Sequence, residues 1–400
     1  MRTTRAKSPL WAKLLLTFGV LLLLGSGGSL VGGKLLLDHY SGTVTHSGGL
    51  GSAAAGQDQP QGNTIAGAID LLLVGIDERE GQPDMGARAD SIIIAHVPAT
   101  HDAVYLTSIP RDLRVKIPAD KVSKYGGGQD KINAAFEYGY QKGGGRDEGL
   151  ALLAETVSNL AGGLKFNGAA IVNFSGFSAL VNALGGVHMC VDEPVTSVHT
   201  GWNTKTGVEG EPYNFDPNTG SPTSLKPNMR PLKYEVGCYD FAAWQALDYV
   251  RQRDKLGNND ADYGRQRHQQ QFIKAMLTKA TSAGVISNPA TVVKVLNSVG
   301  KAVSFYNNNI SLADWVFTLK GLKPDKMVTL KVNNGTFRTQ TIGGQAYETL
   351  DANSQALLTA IGEDQVGAFV AQHPEMINSA ADTPATPASP NPNPSPSKKR

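Results

Sequence analysis

The sequence predicts an α/β protein with one folded domain behind a membrane anchor. Strand-like apolar runs, such as Leu71 to Ile76 and Ile92 to Val97, alternate with helix-like segments over one long stretch of the chain. These runs are continuously apolar, which is typical of strands that are buried on both faces. The stretch covers residues 69–378, and we expect it to form the only domain.

The N-terminal part of the chain has the pattern of a membrane anchor. Residues 1–13 contain four basic residues and no acidic one, and residues 14–33 carry no charge. A helix of that length spans about 30 Å, which matches the hydrocarbon core, and the basic flank predicts a cytoplasmic N-terminus. A cleaved signal peptide is the alternative, but the small residues Ala53 to Ala55 lie far beyond the apolar segment. We therefore expect a single-pass protein whose remaining residues are extracytoplasmic.

Two other segments lack the composition of a folded domain. Residues 34–68 are rich in glycine, serine and alanine and predict a flexible linker, whereas residues 379–400 are rich in proline and serine and predict a disordered tail. The formal net charge of +2 is small for 400 residues, so we expect no nucleic-acid partner. Any anion-binding site must therefore be local.

The two cysteines and the segment between them leave alternatives open. Cys190 and Cys238 have neither CxxC spacing nor companion histidines, so we expect no zinc site. A disulfide and two free thiols both remain, since an extracytoplasmic location permits a bridge. The polar, proline-containing segment Thr196 to Val236 is expected to be a long loop that is a lid, a binding excursion or a mobile segment.

Charged residues collect at the ends of the first predicted strands. Asp77 follows the first strand, Arg88 and Asp90 open the second, and Arg111 follows the third. Arg88 and Asp90 are two residues apart, so on a regular strand they point to the same face. Carboxylates suit a hard divalent cation and guanidinium groups suit phosphate oxygens. The pattern therefore predicts a metal ion and a phosphate side by side.

A second group of basic residues comes more than a hundred residues later. Arg251 and Arg253 follow a predicted helix, and Arg265 and Gln269 lie one turn apart on the next. A network of structural salt bridges is the alternative explanation for these arginines. No GxSxG or HExxH motif and no histidine pair with metal-ligand spacing is present, which leaves phosphate chemistry as the expected class.

Seven ordered motifs resemble those of the LytR-CpsA-Psr family, and they cover nearly the whole predicted extracytoplasmic part. The motifs are DLLLVGIDER, ARADSIIIAHV, SIPRDLRVKIP, KINAAFEYG, NFSGFSALVNALGGV, ALDYVRQRD and DYGRQRHQQQFI. The resemblance implies an αβα sandwich with a central mixed β-sheet and an apolar groove for a lipid tail. It also implies a membrane-tethered phosphotransferase that moves a glycopolymer from a polyprenyl-pyrophosphate carrier to peptidoglycan or another wall acceptor.

The resemblance further implies a role for individual residues. Asp77 and Asp90 would bind Mg²⁺, with Mn²⁺ as the alternative ion, and the catalytic residues would be Arg88, Asp90 and Arg111. The residues that would contact the pyrophosphate are Arg88, Arg111, Lys131, Arg251, Arg253, Arg265 and Gln269. Asp262 would support them, whereas Arg79 and Arg267 are weaker candidates because they can pair with neighbouring acids.

Two other functions remain open at this stage. The same residues can form a non-catalytic polyprenyl-pyrophosphate binding site, or they can catalyse hydrolysis of the lipid pyrophosphate. The sequence does not identify a general base for an acceptor hydroxyl, although Asp77 or Asp90 can serve if the metal leaves one of them free.

Overall fold

The computed structural model describes residues 45–46, 49–56, 65–78, 86–217, 219–282, 295, 302–310, 312–319 and 321–378. The predicted cytoplasmic segment, the membrane span, the C-terminal tail and Arg79 lie outside these residues. Within the described part of the chain, no helix combines the length and apolar character needed to cross a membrane.

The described residues alternate between strands and helices along the chain, as predicted. The strands are β1 Thr45–His46, β2 Ile69–Asp77, β3 Arg88–Val97, β4 Val104–Ser108, β5 Arg114–Ile117, β6 Gly128–Lys131, β7 Gly168–Val172, β8 Val187–Val191, β9 Val195–Asn203, β10 Glu209–Gly210, β11 Tyr213–Phe215, β12 Pro222–Leu225, β13 Met229–Tyr234, β14 Gly237–Phe241, β15 Val303–Tyr306, β16 Met327–Leu330, β17 Thr339–Ile342 and β18 Gln345–Glu348. The α-helices are α1 Ile132–Tyr140, α2 Gly145–Leu160, α3 Phe174–Ala183, α4 Ala243–Arg251, α5 Ala261–Ser282, α6 Leu312–Leu319, α7 Ala352–Gly362 and α8 Val366–Gln372.

A seven-stranded sheet forms the centre of the fold, with the strand order β1-β15-β7-β2-β3-β4-β16. Strand β2 runs antiparallel to β3 and parallel to β7, so the sheet is mixed, as the family resemblance implied. Strands β2 and β3 lie near its middle and are both rich in Leu, Ile and Val.

Helices cover both faces of this sheet. Leu72 and Ile94 belong to a core that includes Phe136 of α1, whereas Ile93 points the other way and packs in a core with Trp315 of α6. The alternation follows from the two-residue period of a strand. The predicted layered α/β architecture is therefore confirmed for the described residues.

The predicted linker is wrong for two of its segments. Leu50 and Ala53 are buried in the main core, and Ile65 is buried in the core of the opposite face. The backbone N–H of Ala55 also donates a hydrogen bond of 2.8 Å to the carbonyl oxygen of Phe166. Isolated apolar residues in a glycine-rich segment form no periodic pattern. Their burial therefore could not be predicted from composition. The folded part begins before Ile69.

The predicted long loop from Thr196 to Val236 is also wrong, because the segment forms strands β9 to β13. Strand β9 pairs antiparallel with both β10 and β13, and Leu232 is buried in a second core that includes residues of α4 and α5. The prolines are tolerated at the ends and irregular positions of short strands, as with Pro222 at the start of β12. Cys190 and Cys238 face each other on β8 and β14 and form a disulfide that joins both ends of this segment.

Candidate active site

A β-bulge sets the direction of Asp90. Gly75 and Ile76 are consecutive on β2, but their partners on β3 are Ser91 and Ala89, so Asp90 is an extra residue between them. Bulges bend a strand locally and redirect a side chain. The Oδ1 atom of Asp90 accepts a hydrogen bond of 2.6 Å from Nη1 of Arg111.

Arg88 and Asp90 flank Ala89 at this bulge, and the side chain of Arg88 is engaged elsewhere. Arg88 donates from Nε to Oε2 of Glu137 on α1 at 2.6 Å, and its side chain is 63% exposed. The structure therefore places Asp90, but not Arg88, among the residues that line the cavity described next.

A cavity of about 580 Å³ lies between the central sheet and helices α3, α4 and α5. Seven of the residues predicted for the site line it, although they come from parts of the chain almost two hundred residues apart. They are Asp77, Asp90, Arg111, Arg251, Arg253, Arg265 and Gln269.

Lys131 does not reach the cavity. Its Nζ lies 2.8 Å from Oδ1 of Asp112, and Oδ2 of Asp112 lies 3.7 Å from Nε of Arg111. Asp112 therefore links Lys131 to Arg111. The contact of Lys131 with a pyrophosphate stays a prediction.

Helix α5 brings two of the predicted residues to the cavity on one face. Nη2 of Arg265 lies 2.6 Å from Oδ1 of Asp262 and donates a bond of 3.0 Å to the backbone carbonyl of Asp90. One turn later, Gln269 accepts a hydrogen bond of 2.8 Å from the hydroxyl of Ser91. The helix thus connects to β3 at the bulged residue and at the residue that follows it.

The cavity arginines keep donors for a ligand. Nε of Arg111 and Nε of Arg265 are buried and have no hydrogen-bond partner among the described residues. A buried polar atom without a partner costs free energy, so such atoms suggest a missing partner. Arg251 lies against the ring of Phe174, with its guanidinium carbon 4.2 Å from the ring centroid.

Burial changes the titration of two cavity residues that the sequence did not single out. Burial raises the pKa of Asp254, and the positive charges of Arg265 and Arg111 offset this effect only in part. Burial, together with the charge of Arg251, lowers the pKa of His199 to about 4. His199 is therefore neutral at pH 7.

Much of the remaining cavity wall is apolar. Phe177 stacks on Phe272 with ring centroids 4.2 Å apart, and Leu180, Ile273 and Met276 extend the surface. One cavity therefore combines arginines with a hydrophobic wall. An amphiphile with an anionic head and an apolar chain matches both parts.

Sequence reasoning missed several residues that line the cavity. Asp254 directly follows the Arg251 and Arg253 pair, so its position in the ALDYVRQRD motif was the available signal. His199 and Phe215 lie in the segment predicted as a loop, where no periodic pattern pointed to a wall.

Asp77 and Asp90 offer a chemically suitable pair for a divalent cation. Both carboxylates line the cavity, and the side chain of Asp90 is 32% exposed. Hard cations such as Mg²⁺ and Mn²⁺ prefer carboxylate oxygens and keep water or phosphate oxygens in their remaining positions. The two residues therefore fit the predicted ion in donor type.

The fold and the cavity together define an α/β domain with an arginine-rich, apolar-walled ligand site. The chain belongs to the LytR_cpsA_psr family, whose model matches residues 43–361. The family resemblance drawn from the seven motifs is confirmed.

The chain is similar to proteins of bacterial cell-wall synthesis. It is 30% identical over 305 residues to a probable cell wall biosynthesis protein, LcpB of Corynebacterium glutamicum, which covers 72% of this chain and 60% of that protein. It is also 30% identical over 232 residues to the polyisoprenyl-teichoic acid–peptidoglycan teichoic acid transferase TagU of Oceanobacillus iheyensis, which covers 58% of this chain and 57% of TagU. The chain thus spans well under two thirds of these relatives.

Solved structures share the fold. The crystal structure of Bacillus subtilis TagV matches with a TM-score of 0.51 and 23% identity, covering 76% of this chain and 99% of that one. A structure of TagT bound to LI-WTA matches with a TM-score of 0.51 and 19% identity, covering 81% of this chain and 99% of that one.

Proposed function

We propose that this protein transfers a glycopolymer, together with its phosphate, from a polyprenyl-pyrophosphate carrier to a hydroxyl group of peptidoglycan or another wall acceptor. The observation that carries the proposal is the single cavity that joins four arginines to a hydrophobic wall. A pyrophosphate head suits the arginines, and a polyprenyl chain suits the wall. The relatives named as teichoic acid transferases support the same reaction class.

The charge of the cavity favours a divalent cation. Four arginines and the three carboxylates of Asp77, Asp90 and Asp254 line it, so the positive charge is largely balanced before any ligand enters. A pyrophosphate brings further negative charge into the same space. An Mg²⁺ or Mn²⁺ ion held by Asp77 and Asp90 would supply the positive charge that compensates it.

The chain's own residues would perform most of the catalysis by position and charge. Arg111 and Arg265 would donate their unpartnered Nε–H groups to pyrophosphate oxygens as negative charge develops on them. Arg251 and Arg253 would hold the second phosphate. The hydrophobic wall of Phe177, Phe272 and Met276 would fix the lipid chain, so that polyprenyl phosphate leaves from a defined position.

We further propose that the domain is extracytoplasmic and tethered by residues 14–33. The disulfide between Cys190 and Cys238 supports this location, because structural disulfides persist mainly in oxidising compartments. A membrane-bound domain outside the cytoplasm meets both the lipid carrier and peptidoglycan.

The test is reconstitution of the full chain in detergent micelles with Mg²⁺, a polyprenyl-pyrophosphate-linked glycan and peptidoglycan. We expect a glycan joined to peptidoglycan through phosphate and the release of polyprenyl phosphate. Release of free glycan phosphate without a joined product would instead indicate a hydrolase. Ligand binding without turnover would indicate a binding protein.

A matched pair of variants links the reaction to the cavity. Arg111→Ala should reduce transfer by about a hundredfold or more, since removal of one preorganised donor has effects of that size. Arg114→Ala is the control, because Arg114 follows three positions later and lies over the ring of Tyr347, away from the cavity. A folded and fully active Arg111→Ala protein would exclude the proposed site.

A further inference from the structure

His199 occupies an irregular position of β9 that resembles the bulge at Asp90. Thr196 pairs with Lys233 and Gly201 pairs with Pro231, so residues 197–200 lie opposite a single residue of β13. Such insertions bend a strand and redirect its side chains, and they are frequent beside active sites. His199 lies in this insertion and lines the cavity.

A buried polar network holds the irregular segment in shape. The hydroxyl of Ser197 accepts hydrogen bonds from the backbone N–H groups of His199 and Thr200 at 3.2 and 2.8 Å, and it donates to Asp248 at 2.9 Å. The side chain of Gln252 accepts from the N–H of Val198 at 2.9 Å. Ser197, Asp248 and Gln252 are almost fully buried. Buried polar groups are costly unless they are satisfied, so this network fixes the backbone that presents His199.

The surroundings of His199 keep its imidazole neutral and accessible to the cavity. Its ring lies parallel to that of Phe215, with centroids 6.3 Å apart. Arg251 acts on it from α4, and the carboxylate of Glu211 opposes that charge from the segment before β11. Asp248 is turned to the hydroxyls of Ser197 and Thr200. A neutral imidazole beside arginines can accept a proton, which the arginines cannot do.

We propose that His199 is the general base that accepts the proton of the attacking acceptor hydroxyl, an inference that rests on the proposed transfer reaction. The hydroxyl oxygen bonds to the phosphorus that carries the glycan, while the bond from that phosphorus to the bridging oxygen breaks. The bridging oxygen keeps the electron pair and leaves in polyprenyl phosphate. The hydroxyl proton passes to the imidazole and then to solvent.

This assignment is compatible with the roles proposed for Asp77 and Asp90. Asp90 is bound to Arg111 through Oδ1, and both Asp77 and Asp90 are the proposed cation ligands, so neither carboxylate is free to act as the base. Negative charge from a bound pyrophosphate would offset the charge of Arg251 and raise the pKa of His199 from about 4 towards neutrality. Substrate binding would therefore make His199 a stronger base.

The test compares His199→Gln with His188→Gln in the full chain. His188 lies on β8, the strand that precedes β9 in the chain, where Nδ1 is 2.9 Å from Oδ1 of Asp240, and it does not line the cavity. For His199→Gln we expect kcat to fall about a hundredfold or more, KM for the lipid substrate to stay within a few-fold, and added imidazole to restore part of the rate. The acidic limb of the kcat profile should disappear as well. His188→Gln should retain kcat within about twofold of wild type.

Ligand binding separates a catalytic role from a loss of structure. The lipid substrate should raise the Tm of His199→Gln as much as that of wild type. A kcat within about threefold of wild type would overturn the base assignment and leave the transfer reaction intact. A fall in kcat that imidazole does not reverse, with loss of the Tm increase, would also overturn it. Absence of transfer by the wild-type chain would overturn both proposals.

Discussion

Arg265 and Arg267 lie two residues apart on helix α5, about 200° around its axis, and they have opposite surroundings. Arg265 contacts one carboxylate, that of Asp262, and faces the cavity with a buried Nε that has no hydrogen-bond partner among the described residues. Arg267 is in salt-bridge contact with three carboxylates, which belong to Asp192, Glu193 and Asp260. Both side chains are only 8% exposed.

The two arginines therefore differ in the number of neighbouring carboxylates and not in burial. The donors of Arg267 are used within the protein, and His268 adds contacts of 3.4 and 3.3 Å to Asp192 and Glu193. Arg265 retains an Nε–H donor without a hydrogen-bond partner among the described residues. We therefore assign Arg267 to stability and propose Arg265 for the pyrophosphate.

The largest expected effect is the loss of stability in Arg267→Ala. Removal of the guanidinium leaves three carboxylates close together in a buried site, and breaking a buried pair typically costs about 3–5 kcal/mol. We expect urea denaturation to show a decrease of that size in the free energy of unfolding. The activity of each folded molecule should change little. If Arg267→Ala is as stable as wild type, the structural role of Arg267 is contradicted, and Arg267 no longer differs from Arg265 in this respect.

The reverse outcome is expected for Arg265→Ala. Loss of one preorganised donor should reduce kcat/KM for transfer by about 100- to 1,000-fold, while the free energy of unfolding falls less than in Arg267→Ala. Measurement of both quantities in the two variants provides a cross-over test. A transfer rate near wild type in Arg265→Ala would show that the unpartnered Nε does not mark a ligand site.

The sequence predicted most of the charged residues at the cavity because their type and position were sufficient. Asp77 and Arg111 follow buried strands, and Arg265 and Gln269 share one helix face; all four line the cavity. The distant segments then meet through the order of strands and helices. Periodicity did not predict which strands pair in parallel and which pair antiparallel. The family resemblance alone implied a mixed sheet.

The remaining features depend on local irregularities that periodicity cannot show. Asp90 is the extra residue of a bulge in β3, and His199 lies in the irregular segment of β9. Leu50 and Ala53 are buried although their context has the composition of a linker. In each case, contacts with distant parts of the chain determine where the residue lies, and its sequence neighbours suggest a different position.

The pH dependence of stability gives a sharper test of the Arg267 group. Burial by itself raises the pKa of Asp192, but the neighbouring His268 and the charge of Arg267 outweigh it and hold the pKa well below the ordinary 3.8. A lowered pKa in the folded state stabilises the protein above the unfolded-state pKa, and this contribution is lost as pH falls through the folded-state value.

We therefore compare wild type with Asp192→Asn in urea between pH 7 and pH 3. The wild type should be more stable by about 2–3 kcal/mol at pH 7, and the difference should begin to shrink as pH falls below about 4. A difference that stays constant over this range would show that the charge of Asp192 does not contribute. Asp240→Asn is the control, because Asp240 is exposed and pairs only with His188 among the described residues.

The smallest expected effect concerns Arg88. The family resemblance assigns this residue to the site, whereas in the structure it forms a salt bridge with Glu137. An exposed ion pair contributes about 0–1 kcal/mol, so Arg88→Ala should change the free energy of unfolding by no more than that. Its loss of transfer activity should be smaller than that of Arg265→Ala, since Arg88 does not line the cavity. Transfer assays on Arg88→Ala and Arg265→Ala under the same conditions compare the two losses of activity. An equal loss would place Arg88 with the cavity arginines and would mean that Arg88 leaves Glu137 when the lipid substrate binds.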